Sequence, residues 1–128
     1  MKIVFFGGSI TESGRNLLDP NDLGVGYVKI AAGKLRLLYP DEKIEIVNRG
    51  VGGNRTADLL ARVKEDVIDE HPDFLVLEVG VNDVWCRFSL GEVVTPEQFE
   101  ANYRGVVTEL KGRGATLFRG EPYVIPTG

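Results

Sequence analysis

A serine follows two glycines at the end of an apolar run: Ile3 to Phe6, then Gly7-Gly8-Ser9-Ile10-Thr11. A buried strand that ends this way presents a hydroxyl where a ligand can reach it, and glycine lets backbone N–H groups approach that ligand closely. Two further apolar runs break in the same manner. Val47 leads into Asn48-Arg49-Gly50-Val51-Gly52-Gly53-Asn54, and Val79 leads into Gly80-Val81-Asn82-Asp83-Val84-Trp85. A hydroxyl, amide side chains and free backbone N–H groups are what acyl transfer needs: a nucleophile, and donors aimed at a developing oxyanion. Each loop alone reads equally well as a tight turn. Asn48 alone reads as a turn brace, and Asn82-Asp83 as a turn pair. Three such loops in chain order favour the chemical reading.

The elements that must position them alternate. Lys2 to Phe6 and Ile44 to Val47 read as short buried strands, and residues 7–22 as a loop with at most a helical turn. Tyr27 to Leu38 carries Val28, Ala31, Ala32, Leu35 and Leu38 at helical spacing, and Pro40-Asp41 ends it. Thr56 to Ile68 is a second helix, with Leu59, Leu60, Val63, Val67 and Ile68 on one face. Phe74 to Val79 is apolar almost throughout, as a central strand buried on both faces would be. Thr95-Pro96-Glu97 is a helix start with Thr at the cap and Pro at the first position, and the helix continues through Leu110. Ala115 to Phe118 is a fourth strand, followed by Glu121-Pro122. This order predicts a three-layer α/β/α sandwich around a parallel sheet, with ligands bound beyond the carboxyl ends of the strands. The three loops share that edge.

Composition narrows the function classes. The 128 residues suit one domain, residues 1–128. A net charge of −4 disfavours nucleic acid or an anionic membrane as partner. Cys86 is the single cysteine, so an internal disulfide and a multi-cysteine metal site are excluded. No apolar stretch is long enough to span a bilayer, and the amino-terminal apolar run breaks at Gly7, too early for a signal peptide; a cytoplasmic location is expected. The first loop does not fit a dinucleotide fingerprint, and Arg55 stands where the second would need its last glycine. There is no phosphate-binding G-x-x-x-x-G-K-[ST] run. No cofactor or metal is expected.

The three blocks FFGGSITESG, NRGVGGNRT and GVNDVW together resemble the SGNH hydrolases, the GDSL-type esterases and lipases, over essentially the whole chain. Within that family the GVGYV stretch at Gly24 to Val28, Tyr39-Pro40, and NDVW at Asn82 to Trp85 are most similar to carbohydrate-esterase-like members such as acetylxylan esterases. The resemblance implies a flavodoxin-like strand order and hydrolysis of short-chain, acetyl esters on small molecules or carbohydrates. It implies Ser9 as nucleophile and first oxyanion N–H, Gly53 as the second N–H, and the Asn82 side chain as the third donor. Trp85, three residues on, either stacks on a sugar ring or anchors a partly buried loop. Arg15, Arg49 and Arg55 flank the site and read as solvated surface charges, one of which could meet an acidic sugar. Cys86 reads as a passive thiol.

Two departures from the family pattern matter. Gly8 stands where the first block normally carries Asp, which removes a brace and puts the rigidity of the loop in question. The fourth block, D-x-x-H, which supplies the triad Asp and His, has no counterpart in this sequence, so the last strand and helix of the fold are expected to be missing. His71 is the single histidine and precedes the third strand, whereas Asn82 follows it. About eight strand residues at roughly 3.3 Å each separate the two edges by roughly 25 Å. A general base must lie within about 3 Å of the hydroxyl it serves, so His71 reads as structural, a cap for the preceding helix. The chain is therefore expected to be weakly active or inactive alone. The alternatives are a noncatalytic ligand-binding pseudoenzyme domain, or one half of an enzyme completed by another chain. Without a final strand, Ala115 to Phe118 becomes a sheet edge that invites self-association. Arg119 is expected just beyond the sheet or at a frayed edge.

Overall fold

The structure is a computed structural model that describes residues 1–111 and 113–121. Four parallel strands form one sheet: β1 (Lys2–Gly7), β2 (Glu45–Gly50), β3 (Phe74–Glu78) and β4 (Thr116–Gly120). Their order is β2-β1-β3-β4, the flavodoxin-like arrangement. Every neighbouring pair is parallel, and Gly7 lies opposite both Gly50 and Glu78. The carboxyl ends of β1, β2 and β3 are thus level, and the segments that follow them emerge side by side.

The alternation of side chains along β1 builds the layers. Val4 and Phe6 face one side, where Leu59 and Val63 of α3 (Thr56–Asp66) and Val106, Val107 and Leu110 of α5 (Pro96–Leu110) cover them. Ile3 and Phe5 face the other side, against Val28 and Ala32 of α2 (Tyr27–Leu38). Each fully buried side chain of this kind contributes about 1.5–3 kcal/mol. The α2 side is the smaller cluster. Over β3 and β4 it opens into an apolar cavity of about 510 Å³ that includes Ile3, Phe5, Phe74, Val76 and Phe118.

Several boundaries differ from the sequence reading. The second strand continues through Asn48-Arg49-Gly50 rather than stopping at Val47, so the second loop begins at Val51. The second helix ends at Asp66, and a short 3-10 turn, Ile68–Glu70, follows it. Ser9–Glu12 forms a single turn, α1, and Val81–Ser89 forms α4 where a loop is predicted. Thr95 caps α5 as its residue type suggests: its side chain accepts from Gln98 N (3.1 Å) while Gln98 returns the bond to Thr95 N (2.9 Å). Arg119 lies within β4, exposed on that strand rather than beyond it. Pro122, which follows the predicted fourth strand, lies outside the described residues.

Candidate active site

The first strand ends where only glycine fits. A Cβ at Gly7 would overlap the Glu78 carbonyl oxygen and the Thr11 hydroxyl. Gly8 is buried, Ser9 is exposed, and α1 begins at Ser9. The missing Asp at position 8 does not leave the turn loose. The Gly7 carbonyl accepts from Val51 N (3.1 Å) and from Arg62 (3.0 Å), the Gly8 carbonyl accepts from Glu12 N (2.9 Å), and the Ser9 carbonyl accepts from Ser13 N (2.8 Å). Main-chain bonds and the Arg62 guanidinium do the bracing that a carboxylate would otherwise do.

The end of β2 is built to receive α1. Asn48 is wholly buried; its Nδ2 donates to Thr11 O (2.7 Å) and Leu23 O (2.9 Å), and its Oδ1 accepts from Gly50 N (2.8 Å). It is a brace inside a strand, not a ligand contact. A Cβ at Gly50 would run into the backbone of Thr11 and Glu12, so α1 rests directly on this glycine. Past the strand, Gly53 adopts φ +81°, a conformation that favours glycine, and open space lies beside it.

The third segment corrects the prediction of a loop. Gly80 turns the chain and Asn82 sits in the first turn of α4. Its Nδ2 donates to Asn54 O (3.1 Å), and a Cβ on Gly8 would lie 3.4 Å from that same nitrogen. The residue before Ser9 and the residue after Gly53 therefore both flank the Asn82 amide. Asp83 is buried, so it is not a turn residue. It accepts from Thr56 N (3.0 Å) and Thr56 Oγ1 (2.6 Å), capping α3 and fixing α4 against it. Trp85 is 55% exposed and packs on Phe88 with centroids 5.6 Å apart, so the partly buried anchor reading does not hold. Cys86 is buried, its thiol directed at the carbonyls of Asp83 (3.4 Å) and Glu92 (3.3 Å).

The three arginines expected to be solvated are engaged. Arg15 donates to Gly50 O (2.9 Å), Arg49 pairs with Glu70 (2.8 Å), and Arg55 pairs with Glu92 (2.6 Å). Glu70 also holds Lys2 (2.8 Å), and that bond, then Arg49, keeps its carboxyl below the ordinary range despite some burial. Arg62 was not singled out from the sequence. Its guanidinium reaches Gly7 O, Arg49 O (2.8 Å), Asn54 Oδ1 (2.8 Å) and Asp66 (2.7 Å), and lies 4.6 Å over the Phe6 ring. Burial holds its pKa below the ordinary value. The signal was present as an Arg–Asp pair at i,i+4 beside the apolar stripe. His71 sits at the opposite edge of the sheet: it is exposed, its backbone N–H closes the 3-10 turn on Ile68 O (3.1 Å), and the next-but-one residue, Asp73, bonds Lys2 at the start of β1. Glu78, at the carboxyl end of β3, has a buried Oε1 without a hydrogen-bond partner among the described residues, and burial raises its pKa.

A hydroxyl, two exposed loop backbones and an amide at one sheet edge have the composition of an oxyanion site. The chain is 39% identical over 118 residues to an acetylxylan esterase of Geobacillus stearothermophilus, covering 86% of this chain and 54% of that enzyme. A solved structure of a catalytic mutant of that organism's acetylxylan esterase Axe2, in which a histidine is replaced by alanine, superposes with a TM-score of 0.85 at 36% identity, over 92% of this chain and 57% of the other. An α/β hydrolase from the metagenome of Lake Arreo, Spain, matches with a TM-score of 0.85 at 30% identity, over 92% and 58%. The chain thus spans little more than half the length of these relatives. The model of the GDSL-like Lipase/Acylhydrolase family matches residues 5–128. With the fold, the strand order and the family match in agreement, this chain belongs to the GDSL-like lipase/acylhydrolase family.

Proposed function

We propose that residues 1–128 carry the nucleophile and the oxyanion donors of a serine carboxylic-ester hydrolase. Ser9 Oγ attacks the ester carbonyl. The backbone N–H groups of Ser9 and Gly53 and the Asn82 amide hold the negative charge that develops on the carbonyl oxygen. The alcohol leaves as the acyl-enzyme forms, and water then releases the acid and restores Ser9. The observation that carries this reading is the position of the Asn82 amide, 3.1 Å from Asn54 O and flanked by Gly8. One of its N–H groups is spent on Asn54, which fixes the amide plane and leaves the other for a ligand.

The base that takes the Ser9 proton comes from a His–Asp pair outside residues 1–128, on the same chain or a partner chain. The remote position of His71 supports this. The substrate class is a short acyl ester, an acetyl group on a sugar, supported by the similarity to an acetylxylan esterase. Trp85, one helical turn beyond Asn82 and exposed, offers a flat apolar face to a pyranose ring.

A fluorophosphonate probe, read by mass spectrometry on the protein together with the segment or partner that supplies the His–Asp pair, tests the assignment. Modification at Ser9 is expected, lost in Ser9→Ala and slowed about 10²–10³-fold in Asn82→Ala. Equal labelling of the parent and Ser9→Ala refutes the nucleophile. Robust hydrolysis of p-nitrophenyl acetate by the chain alone, abolished by Ser9→Ala, would put the base within residues 1–128 and refute that part.

A further inference from the structure

Arg62 has contacts that its place on α3 does not require. A partly buried arginine in a helix needs one counterion, and Asp66, four residues on, supplies it at 2.7 Å. The remaining donors go elsewhere. Nε bonds the Asn54 side chain at 2.8 Å, one Nη bonds Arg49 O at 2.8 Å, and the other bonds Gly7 O at 3.0 Å. These acceptors are the end of β1, the end of β2 and the loop that carries Gly53. We propose that Arg62 is a positioning residue for the oxyanion site, clamping the loop that precedes Ser9 to the loop that carries Gly53.

The clamp acts on the peptides that aim the donors. The Gly7 carbonyl belongs to the peptide entering Gly8, the residue that lacks a side chain to brace it. With Gly7 O held by Val51 N and Arg62, and Gly8 O held by Glu12 N, both peptides ahead of the Ser9 Oγ are fixed. On the other side, Arg62 holds the Asn54 side chain while Asn82 holds its carbonyl, so the residue after Gly53 is gripped at two points. The planar fork of guanidinium reaches all three acceptors; a lysine ammonium on the same stem lacks that fork of donors. Phe6 beneath the fork, 4.6 Å away, limits its tilt.

This inference rests on the assignment of Ser9 and Gly53 as site residues, and its test separates the two. Arg62→Lys and Arg62→Ala are compared with Val107→Ala, a core truncation on α5 away from the loops, at a temperature where all are folded. The first readout is the rate of Ser9 capture by a fluorophosphonate, again with the His–Asp pair supplied. Displacing a reacting group by about 1 Å costs about 10²-fold, so both Arg62 variants are expected to be about 10–100-fold slower than the parent, and Val107→Ala within about twofold of it. Methylguanidinium is expected to restore Arg62→Ala several-fold. Capture by both Arg62 variants within about twofold of Val107→Ala overturns the proposal. The second readout is amide hydrogen exchange. The amides of Val51 and Glu12, which bond Gly7 O and Gly8 O, are expected to exchange at least about tenfold faster in Arg62→Lys than in Val107→Ala, relative to the core amide of Leu77 in each. If the parent and Ser9→Ala label alike, the esterase reading falls and exchange alone decides: equal rates in the two variants overturn the clamp.

Discussion

Replacing Asn48 by Asp changes one NH₂ group to an oxygen, in a wholly buried position where that group donates to two carbonyls, Thr11 O at 2.7 Å and Leu23 O at 2.9 Å. A protonated Asp keeps one of the two bonds and strands the other carbonyl, which costs about 1–3 kcal/mol. An ionised Asp strands both and faces them with a negative charge. The folded state therefore binds the proton more tightly than the unfolded chain, whose Asp titrates near 3.9. A group with a raised folded pKa gives its full stability below the unfolded pKa and loses it as pH rises towards the folded one. The expected loss is about 1.4 kcal/mol per pH unit, or about 4 kcal/mol between pH 4 and pH 7 if the folded pKa exceeds 7. Added to the stranded carbonyl, this consumes much of a typical domain stability of about 5–15 kcal/mol. Urea unfolding of parent and variant, followed by circular dichroism from pH 4 to pH 8, gives the difference directly. A difference that is flat with pH, or smaller at pH 7 than at pH 4, refutes the reasoning, because it would mean that the Asn48 amide is not the donor to those carbonyls.

Other substitutions separate tight glycines from free ones and test the buried Glu78 carboxyl. Gly50→Ala pushes a methyl group into the Thr11–Glu12 backbone, and a loss of about 1–3 kcal/mol is expected in the same urea assay, with slowed Ser9 labelling because α1 must shift. Gly8→Asp meets its nearest neighbours, Asn82 Nδ2 and Asn54 O, at 3.4 and 3.5 Å from the new Cβ; stability within about 1 kcal/mol of the parent is expected, and a loss above about 2 kcal/mol would show that the family's usual residue no longer fits here. Glu78→Gln removes a carboxyl whose pKa burial raises, so the parent loses stability as pH rises above about 4.5 and the variant does not. The gain of the variant should grow from pH 4 upwards and then level off, and a gain that shrinks with pH would contradict the burial of that group.

How much of this was legible in the sequence depended on where the apolar residues point. The strands and their parallel pairing follow from continuous apolar runs and alternation, their order from the family resemblance, and Thr95-Pro96 marks α5 by its own chemistry. Helix α4 was missed for a physical reason. Its buried residues are Asp83 and Cys86, while Val84, Trp85 and Phe88 are exposed, so its hydrophobic pattern is inverted. Periodicity cannot find a helix whose inward face is a carboxylate that caps its neighbour. Strand β2 was cut short at Val47 because Asn48 and Arg49 read as loop residues. They stay in the strand because Thr11, Leu23 and Glu70 supply their partners from distant parts of the chain. The block around Ser9, the glycines and Asn82 stand out because their spacing from strand ends is local; their proposed roles rest on the family resemblance. Arg62 shows locally only its i,i+4 pair with Asp66; its partners in the site lie on three separate segments, which no local pattern announces.

The polar residues behind the site share a logic that stability alone does not explain. Asn48 stands behind α1, Arg62 between the first and second loops, and Asp83 behind the turn that carries Asn82. Each is wholly or partly withdrawn from water and costs solvation that a well-packed apolar side chain would not. What an apolar side chain cannot do is hold a backbone carbonyl or N–H at a fixed orientation. An oxyanion donor is useful only if its N–H is aimed before the charge appears, so the solvation cost is repaid in direction rather than in folding free energy. Glu78 shows what the same edge looks like without such pairing: a carboxyl oxygen that is buried, unpartnered among the described residues, and for that reason easier to protonate. The contrast between these residues and Glu78 separates bracing from mere burial at this edge. Asn48, Arg62 and Asp83 each contact the backbone of a segment that bears or adjoins a proposed donor, and those contacts make them part of the site even though none reaches the ester.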